Sequence, residues 1–200
     1  MSDYSRRDLL RHIGASITLA AGEQMLSAQD VQHVHQAVAA DTHYIPKALN
    51  PHEFATLQRL SDLIVPADER SPGALQAKAA DFIDFLCGAT DDMKRIYTGG
   101  LAWLDDEMKK RYDGKDFLTA TPQRQQEMLD LLAFRENREK DPSIGPGIQF
   151  FSWVRNMVVD AYYTSPIGYK ELGYMGNTAM SHFSVPQEAI DYAIKRSPFA

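Results

Sequence analysis

The apolar residues between about residues 50 and 163 recur three and four positions apart, which is the spacing of one face of an α-helix. They form five successive stripes, and no stretch alternates apolar and polar residues as a half-exposed β-strand does. The stripes are Phe54, Leu57, Leu60 and Ile64; Ala79, Phe82, Ile83, Leu86 and Cys87; Met93, Ile96, Tyr97, Leu101, Leu104 and Met108; Met128, Leu129 and Leu132; and Phe150, Phe151, Val154, Met157, Val158 and Tyr162. We therefore predict an all-α fold, an irregular helical bundle in which the fifth and most apolar stripe belongs to the central helix.

Residues that cap or interrupt helices mark several boundaries of this bundle. Asn50-Pro51 followed by Glu53 is typical of a helix start, and Thr121-Pro122 is a second start of this kind. Gly88 is a candidate helix end, and Gly99-Gly100 is a weak point inside the third helix. The predicted helices begin at 51, cover about 74–87, run from 91 to 111, begin at 122, and cover 150–163, with a last short helix at 187–196.

The segment after Tyr163 has a different character. Residues 164–177 contain Gly168, Gly173 and Gly176, so one long helix would be costly there. Tyrosine side chains offer a large contact area with a polar tip, which suits a surface that meets another protein. We therefore expect a Gly- and Tyr-rich C-terminal arm that contributes to an interface.

The first forty residues are expected to serve export. Arg6 and Arg7 precede Leu9 and Leu10, and residues 12–22 carry no formal charge. A basic start followed by a short, weakly apolar stretch outlines an export signal, and the arginine pair indicates the twin-arginine (Tat) type. We divide the chain into a signal and spacer at 1–40 and a helical domain at 41–200.

Processing of this signal is left open by the sequence. Residues 37–39 (Ala-Val-Ala) and 38–40 (Val-Ala-Ala) both fit the small-x-small pattern of a cleavage site, but they lie far beyond the apolar stretch. Residues 23–40 also suit a helix with Val31, Val34 and Val38 along one side. Either a cleaved spacer or a retained helix is consistent with this pattern.

Net charge, hydrophobicity and cysteine content exclude several classes of protein. The chain of 200 residues has a net charge of −6 and no basic block, which disfavours nucleic acid as a partner. The sequence has no run of about 18 uncharged apolar residues, so we expect no ordinary membrane span. A single cysteine, Cys87, excludes an internal disulfide and leaves two alternatives, a buried thiol or a disulfide to a partner chain.

Motifs of catalytic and cofactor sites are absent from the sequence. It has no Gly-x-Gly-x-x-Gly or phosphate-binding loop, no Gly-x-Ser-x-Gly, and no His-Glu-x-x-His or Glu-x-x-His pair. The carboxylate pairs Asp68/Glu69 and Asp105/Asp106 are expected in a turn and on a helix surface. We therefore expect no catalytic residue, cofactor or metal site in this chain.

Three segments together resemble one family. They are residues 60–69 leading into 71–74 and 80–84, the aromatic helix from Phe150 to Tyr163, and residues 163–177 with their Ser165-Pro166-Ile167-Gly168 start. With the twin-arginine start, they resemble the gluconate 2-dehydrogenase subunit 3 family, the small subunit of periplasmic flavin-dependent sugar and sugar-acid dehydrogenases. The resemblance covers most of residues 50–180.

This resemblance implies a helical, non-catalytic subunit of an enzyme complex. It binds and stabilises a large FAD-dependent subunit of the glucose–methanol–choline (GMC) oxidoreductase type, in some complexes together with a multihaem cytochrome c subunit. Its signal takes the folded pair to the Tat translocase and into the periplasm, where the partner subunits associate the complex with the membrane. Some members are linked to the large subunit by a disulfide, which favours that alternative for Cys87.

The expected interface lies at the end of the aromatic helix and in the arm. The candidate residues are Tyr162, Tyr163, Gly168, Tyr169, Leu172, Tyr174 and Asn177. The alternative for the tyrosines is that they pack inside the subunit's own core. The alternative for the whole chain is a stand-alone exported helical protein that binds a ligand or another partner.

Overall fold

The computed structural model describes residues 28–40, 44–174 and 184–197, and these residues form helices and no strand. The all-α prediction is confirmed. The helices are α1 (Ala28–Ala40), α2 (Pro51–Ile64), α3 (Ala79–Ala89), α4 (Asp91–Arg111), α5 (Pro122–Ala133), α6 (Asn137–Lys140), a 3-10 turn (Pro142–Ile144), α7 (Gly145–Tyr163), α8 (Pro166–Glu171) and α9 (Gln187–Arg196).

Most predicted boundaries agree with these helices. The side chain of Asn50 accepts a hydrogen bond from the backbone N–H of Glu53, whose carboxylate accepts one from the N–H of Asn50 in return. This capping box satisfies two N–H groups that a helix start otherwise leaves unpaired. Thr121 caps α5, and α4 and α9 span the residues predicted for them.

Three predicted boundaries were wrong. Helix α3 begins at Ala79 instead of about residue 74, because Lys78 adopts a left-handed backbone conformation with φ of 56° that interrupts a continuous helix. Gly88 does not end this helix, which continues to Ala89. Helix α7 begins at Gly145, before the predicted start at Phe150, because a proline is tolerated in the first helical turn.

Helix α7 is central, as predicted, and packs against α2, α3, α4, α5 and α8. It packs closely against α4 at Gly100, where an added Cβ would lie 2.0 Å from a ring carbon of Phe150. The expected weak point at Gly99-Gly100 is therefore a continuous part of α4 that admits the aromatic ring. Phe150 also meets the buried Tyr97 edge to face, with ring centroids 6.1 Å apart.

Buried carboxylates connect loops to this bundle. Asp84 on α3 is fully buried and accepts hydrogen bonds from the Tyr44 hydroxyl and from the N–H groups of Lys47, Ala48 and Leu49. Asp105 was wrongly expected on a helix surface.

Instead, Asp105 is buried because it accepts a hydrogen bond from the N–H of Phe117 and lies 2.6 Å from Nε2 of His52. Its neighbour Asp106 is exposed, as expected. One carboxylate of the pair thus anchors the 112–120 loop to α4.

Helix α1 packs onto the same core through Val34 and Val38. His35 stacks on Phe82 with ring centroids 4.6 Å apart, and the Lys78 ammonium donates to the carbonyl of Val38 at 2.8 Å. The helical body therefore includes residues 28–40, which the expected division at residue 40 assigned to the signal and spacer. Both candidate cleavage motifs lie within this packed helix.

Candidate partner-binding surface

A buried tyrosine joins the end of α7 to the loop that follows α2. The hydroxyl oxygen of Tyr162 lies 2.5 Å from Oγ of Ser71, 2.5 Å from Oε2 of Glu171 on α8, and 2.9 Å from the carbonyl oxygen of Pro72. A phenol has one proton, and the carboxylate is the strongest acceptor among these groups. Tyr162 thus donates to Glu171 and receives the Ser71 proton, which fixes α8 against the 66–73 loop.

Two glycines allow the backbones at this junction to approach closely. A Cβ at Gly73 would lie 2.5 Å from the backbone nitrogen of Ala67, and one at Gly168 would lie 2.2 Å from the carbonyl oxygen of Tyr162. Real Cβ atoms do not approach backbone atoms this closely. Ser165 caps α8 by accepting a hydrogen bond from the N–H of Gly168, and its own hydroxyl donates to the backbone carbonyl oxygen of Tyr162.

Asp68 shapes the loop on the other side of the junction. Its carboxylate accepts hydrogen bonds from the N–H groups of Arg70 and Ser71, each at 2.8 Å. These bonds stabilise the ionised form and lower the pKa of Asp68. The expectation that this residue belongs to a turn is confirmed.

An open cleft of about 610 Å³ separates the loop from α8. Its lining consists of Asp68, Arg70, Ser71 and Pro72 from the loop, and Ile167, Lys170 and Glu171 from α8. The segments that carry the family resemblance therefore meet around one polar cleft.

Exposed aromatic and aliphatic side chains lie next to this cleft. We define the aromatic patch as Tyr163, Tyr169, Leu172 and Tyr174, which are exposed by 37%, 42%, 60% and 57%. The Tyr169 and Tyr174 rings are in contact, with centroids 5.5 Å apart. If a fully exposed side chain of this size presents about 200 Å², the patch exposes about 400 Å². Exposed apolar surface of this extent often marks a protein-binding site.

The structure thus divides the predicted interface residues into two groups. Tyr163, Tyr169, Leu172 and Tyr174 are available to a partner, whereas Tyr162 is 1% exposed and Gly168 is also buried. For Tyr162 and Gly168 the interface prediction was wrong. The Tyr162 hydroxyl is bonded within the junction, and the absence of a Cβ at Gly168 allows the backbones to approach there. Asn177, the remaining interface candidate, lies outside the described residues. So do the residues of the predicted export signal, Arg6, Arg7, Leu9 and Leu10.

Cys87 lies in the core with 1% of its surface exposed. Burial, with a smaller effect of the nearby Asp84 carboxylate, raises the pKa of the thiol to about 12. This placement is the buried-thiol alternative. A disulfide to a partner chain would require α3 to turn its buried side outward.

Asp84 and Glu171 are structural residues that the sequence did not reveal as such. Asp84 occupies a position on the apolar side of α3, four residues after Ala80 and three before Cys87, and this charge within an apolar stripe was the available signal. Glu171 gave no such signal, because its partner Tyr162 belongs to a different helix.

The described residues contain no group of three or more His, Cys, Asp or Glu side chains arranged to hold a metal ion. Within the same ranges, every helix is too short or too polar to cross a membrane.

Comparison with known proteins identifies a family. The family described as gluconate 2-dehydrogenase subunit 3 matches the chain over residues 51–181. No curated protein matches the chain, and no solved structure matches it either. The matched range contains the 66–73 loop, α7, α8 and Tyr174, so it includes both sides of the cleft and the whole aromatic patch.

Proposed function

The chain belongs to the gluconate 2-dehydrogenase subunit 3 family, and from this premise we propose that it is a non-catalytic small subunit that binds and stabilises a large FAD-dependent dehydrogenase of the GMC type. In this proposal the FAD and the sugar or sugar-acid site belong to the large subunit. The small subunit carries the twin-arginine signal and takes the folded pair through the Tat translocase to the periplasm. A cytochrome c subunit is a further candidate partner, which would associate the complex with the membrane.

The observation that carries the proposal is the exposed aromatic patch on a rigidly held support. Helix α8 has six residues, too few to be stable as an isolated helix in water. It is held by the Tyr162–Glu171 bond and by backbone contact at Gly168. A preorganised patch loses little conformational entropy on binding, which increases affinity.

Export of a folded pair sets a physical requirement on this surface. A flavoprotein that binds FAD before export must cross the membrane folded, and one signal serves two chains only if they stay together during transit. Slow dissociation of this kind is typical of interfaces of about 2,000 Å² or more. The patch of about 400 Å² would be the apolar centre of such an interface, with polar surroundings that include the cleft.

The test is co-expression of the two chains with the patch removed by Tyr169→Ala, Leu172→Ala and Tyr174→Ala. Truncation of central interface residues costs about 1–2 kcal/mol each, so the dissociation constant should rise about a hundredfold or more. A matched control replaces Ile45 and Phe134 by alanine, since both are exposed large apolar residues outside the patch. The control should co-purify with the yellow FAD-containing chain as the wild type does.

Export is tested separately with Arg6→Lys and Arg7→Lys in the same cells. We expect both chains to stay in the cytoplasm, because the paired arginines are what the Tat receptor reads. Normal export of the flavoprotein would contradict the escort role. A wild-type chain that purifies from the periplasm without a flavoprotein would instead support a stand-alone binding protein.

A further inference from the structure

The cleft beside the aromatic patch contains two cations and two carboxylates whose bonding differs. The Asp68 carboxylate accepts hydrogen bonds from two backbone N–H groups, and the Glu171 carboxylate accepts one from the Tyr162 hydroxyl. Internal hydrogen bonds therefore use both carboxylates. Their capacity to bind a further cation is reduced accordingly.

The two cations of the cleft are Arg70 and Lys170, and their charged groups are not held by bonds of this kind in the part of the chain that the structure describes. Neither forms an ion pair within 4.0 Å among the described residues, although Arg70 is close enough to Asp68 to help lower its pKa. Both residues are exposed and line opposite walls of the cleft. The cleft thus offers hydrogen-bond donors and positive charge from two directions.

We propose that this cleft binds an acidic side chain of the large subunit, whose carboxylate pairs with Arg70 and Lys170 at the edge of the aromatic patch. The inference rests on the proposed function, because it requires the large subunit to cover this face. A guanidinium presents a planar pair of N–H groups that matches a carboxylate, and a lysine opposite it adds a second charge-assisted bond. Pro72 and Ile167 add apolar surface to the same cleft.

The position of the cleft determines which property of binding it controls. Lys170 is the neighbour of Tyr169 on α8, so the cleft lies beside the patch rather than at its centre. Charges at the rim of an interface steer the partner and set its orientation more than they set the final affinity. The pairing should therefore appear mainly in the association rate and in its dependence on salt.

The experiment compares the wild-type complex with the double variant Arg70→Glu/Lys170→Glu. We expect the association rate constant at about 20 mM salt to fall about tenfold and its salt dependence to flatten. The matched control is Lys94→Glu/Lys140→Glu. It makes the same change in net charge at two exposed cations elsewhere on the surface, which form no ion pair within the described ranges. The control should associate within about twofold of the wild-type rate.

A second measurement identifies the partner residue. A zero-length carbodiimide cross-linker joins an amine to a carboxylate only when they are in contact, so Lys170 should cross-link to an Asp or Glu of the large subunit. Far-ultraviolet circular dichroism of each variant confirms that the helices are intact.

The possible results are distinguishable. If the patch variant weakens the complex while the double variant behaves like the Lys94/Lys140 control and Lys170 forms no cross-link, the acidic contact is refuted and the proposed function stands. Faster association of the double variant would also refute it, since the facing surface would then be basic. If neither the patch variant nor the double variant weakens the complex, the proposed docking surface itself is refuted.

Discussion

The buried carboxylate of Asp84 provides the sharpest test of how this fold is held together. Asp84→Asn keeps the size of the side chain but leaves one acceptor oxygen where the carboxylate has two. Oδ2 accepts from the Tyr44 hydroxyl and the N–H of Lys47, and Oδ1 accepts from the N–H groups of Ala48 and Leu49. The amide NH₂ of asparagine would therefore face at least one backbone N–H that has lost its acceptor.

The magnitude follows from these four bonds. A hydrogen bond to a charged group contributes about 1.5–3 kcal/mol, and a buried donor left unpaired costs about 1–3 kcal/mol. We expect Asp84→Asn to lower the free energy of unfolding by about 2–4 kcal/mol. For a chain of this length this corresponds to a fall in Tm of about 5–15 °C.

The assay is urea and thermal unfolding followed by circular dichroism at pH 7, with two comparison variants. Tyr44→Phe removes one of the four bonds and should cost about 1 kcal/mol. Asp106→Asn changes an exposed carboxylate 3.9 Å from Lys109 and should stay within about 0.5 kcal/mol of wild type. If Asp84→Asn unfolded at the same urea concentration as Asp106→Asn, our account of how the 44–49 segment is anchored would be refuted.

Three further predictions concern the core and the processing of the chain. Because burial raises the pKa of Cys87 to about 12, the folded chain should react with a thiol reagent at pH 8 only as fast as it unfolds; rapid labelling without denaturant would contradict this. Burial also raises the pKa of Asp160 from 3.8 to about 6, so between these two pH values the native state holds a proton that the unfolded state has lost. Stability should then fall by at most about 3 kcal/mol as pH rises from about 4 to 6, and Asp160→Asn should abolish this fall in urea titrations. For processing, N-terminal sequencing of the exported chain should show that α1 is retained, because Val38 is buried within it; a mature N-terminus at Ala40 would refute that expectation.

Several residues within the matched range have structural roles. Gly73 and Gly168 permit backbone approaches that no other residue allows, and Tyr162 with Glu171 fixes the same junction. Asp84 anchors a separate loop to α3. These residues therefore build a support, and the neighbouring exposed side chains are the ones available to a partner.

The residues most easily predicted were those whose role depends on near neighbours in the chain. The caps at Asn50 and Thr121 and the extents of α4 and α9 follow from local hydrogen bonding and local periodicity. The start of α3 could not be predicted in this way, because the left-handed conformation of Lys78 belongs to a turn that connects two packed elements.

The helical class, the central apolar helix and the family could all be predicted from the amino-acid sequence, because they depend on spacing along the chain. Which tyrosines are buried and which are exposed depends on the packing of distant segments and could not be predicted in this way. Tyr162 and Tyr163 are adjacent and chemically identical, yet one is enclosed by a loop about ninety residues earlier in the chain and the other is open to solvent. Burial depends on which distant segments pack together, and a stripe of apolar residues does not specify the segment that covers it.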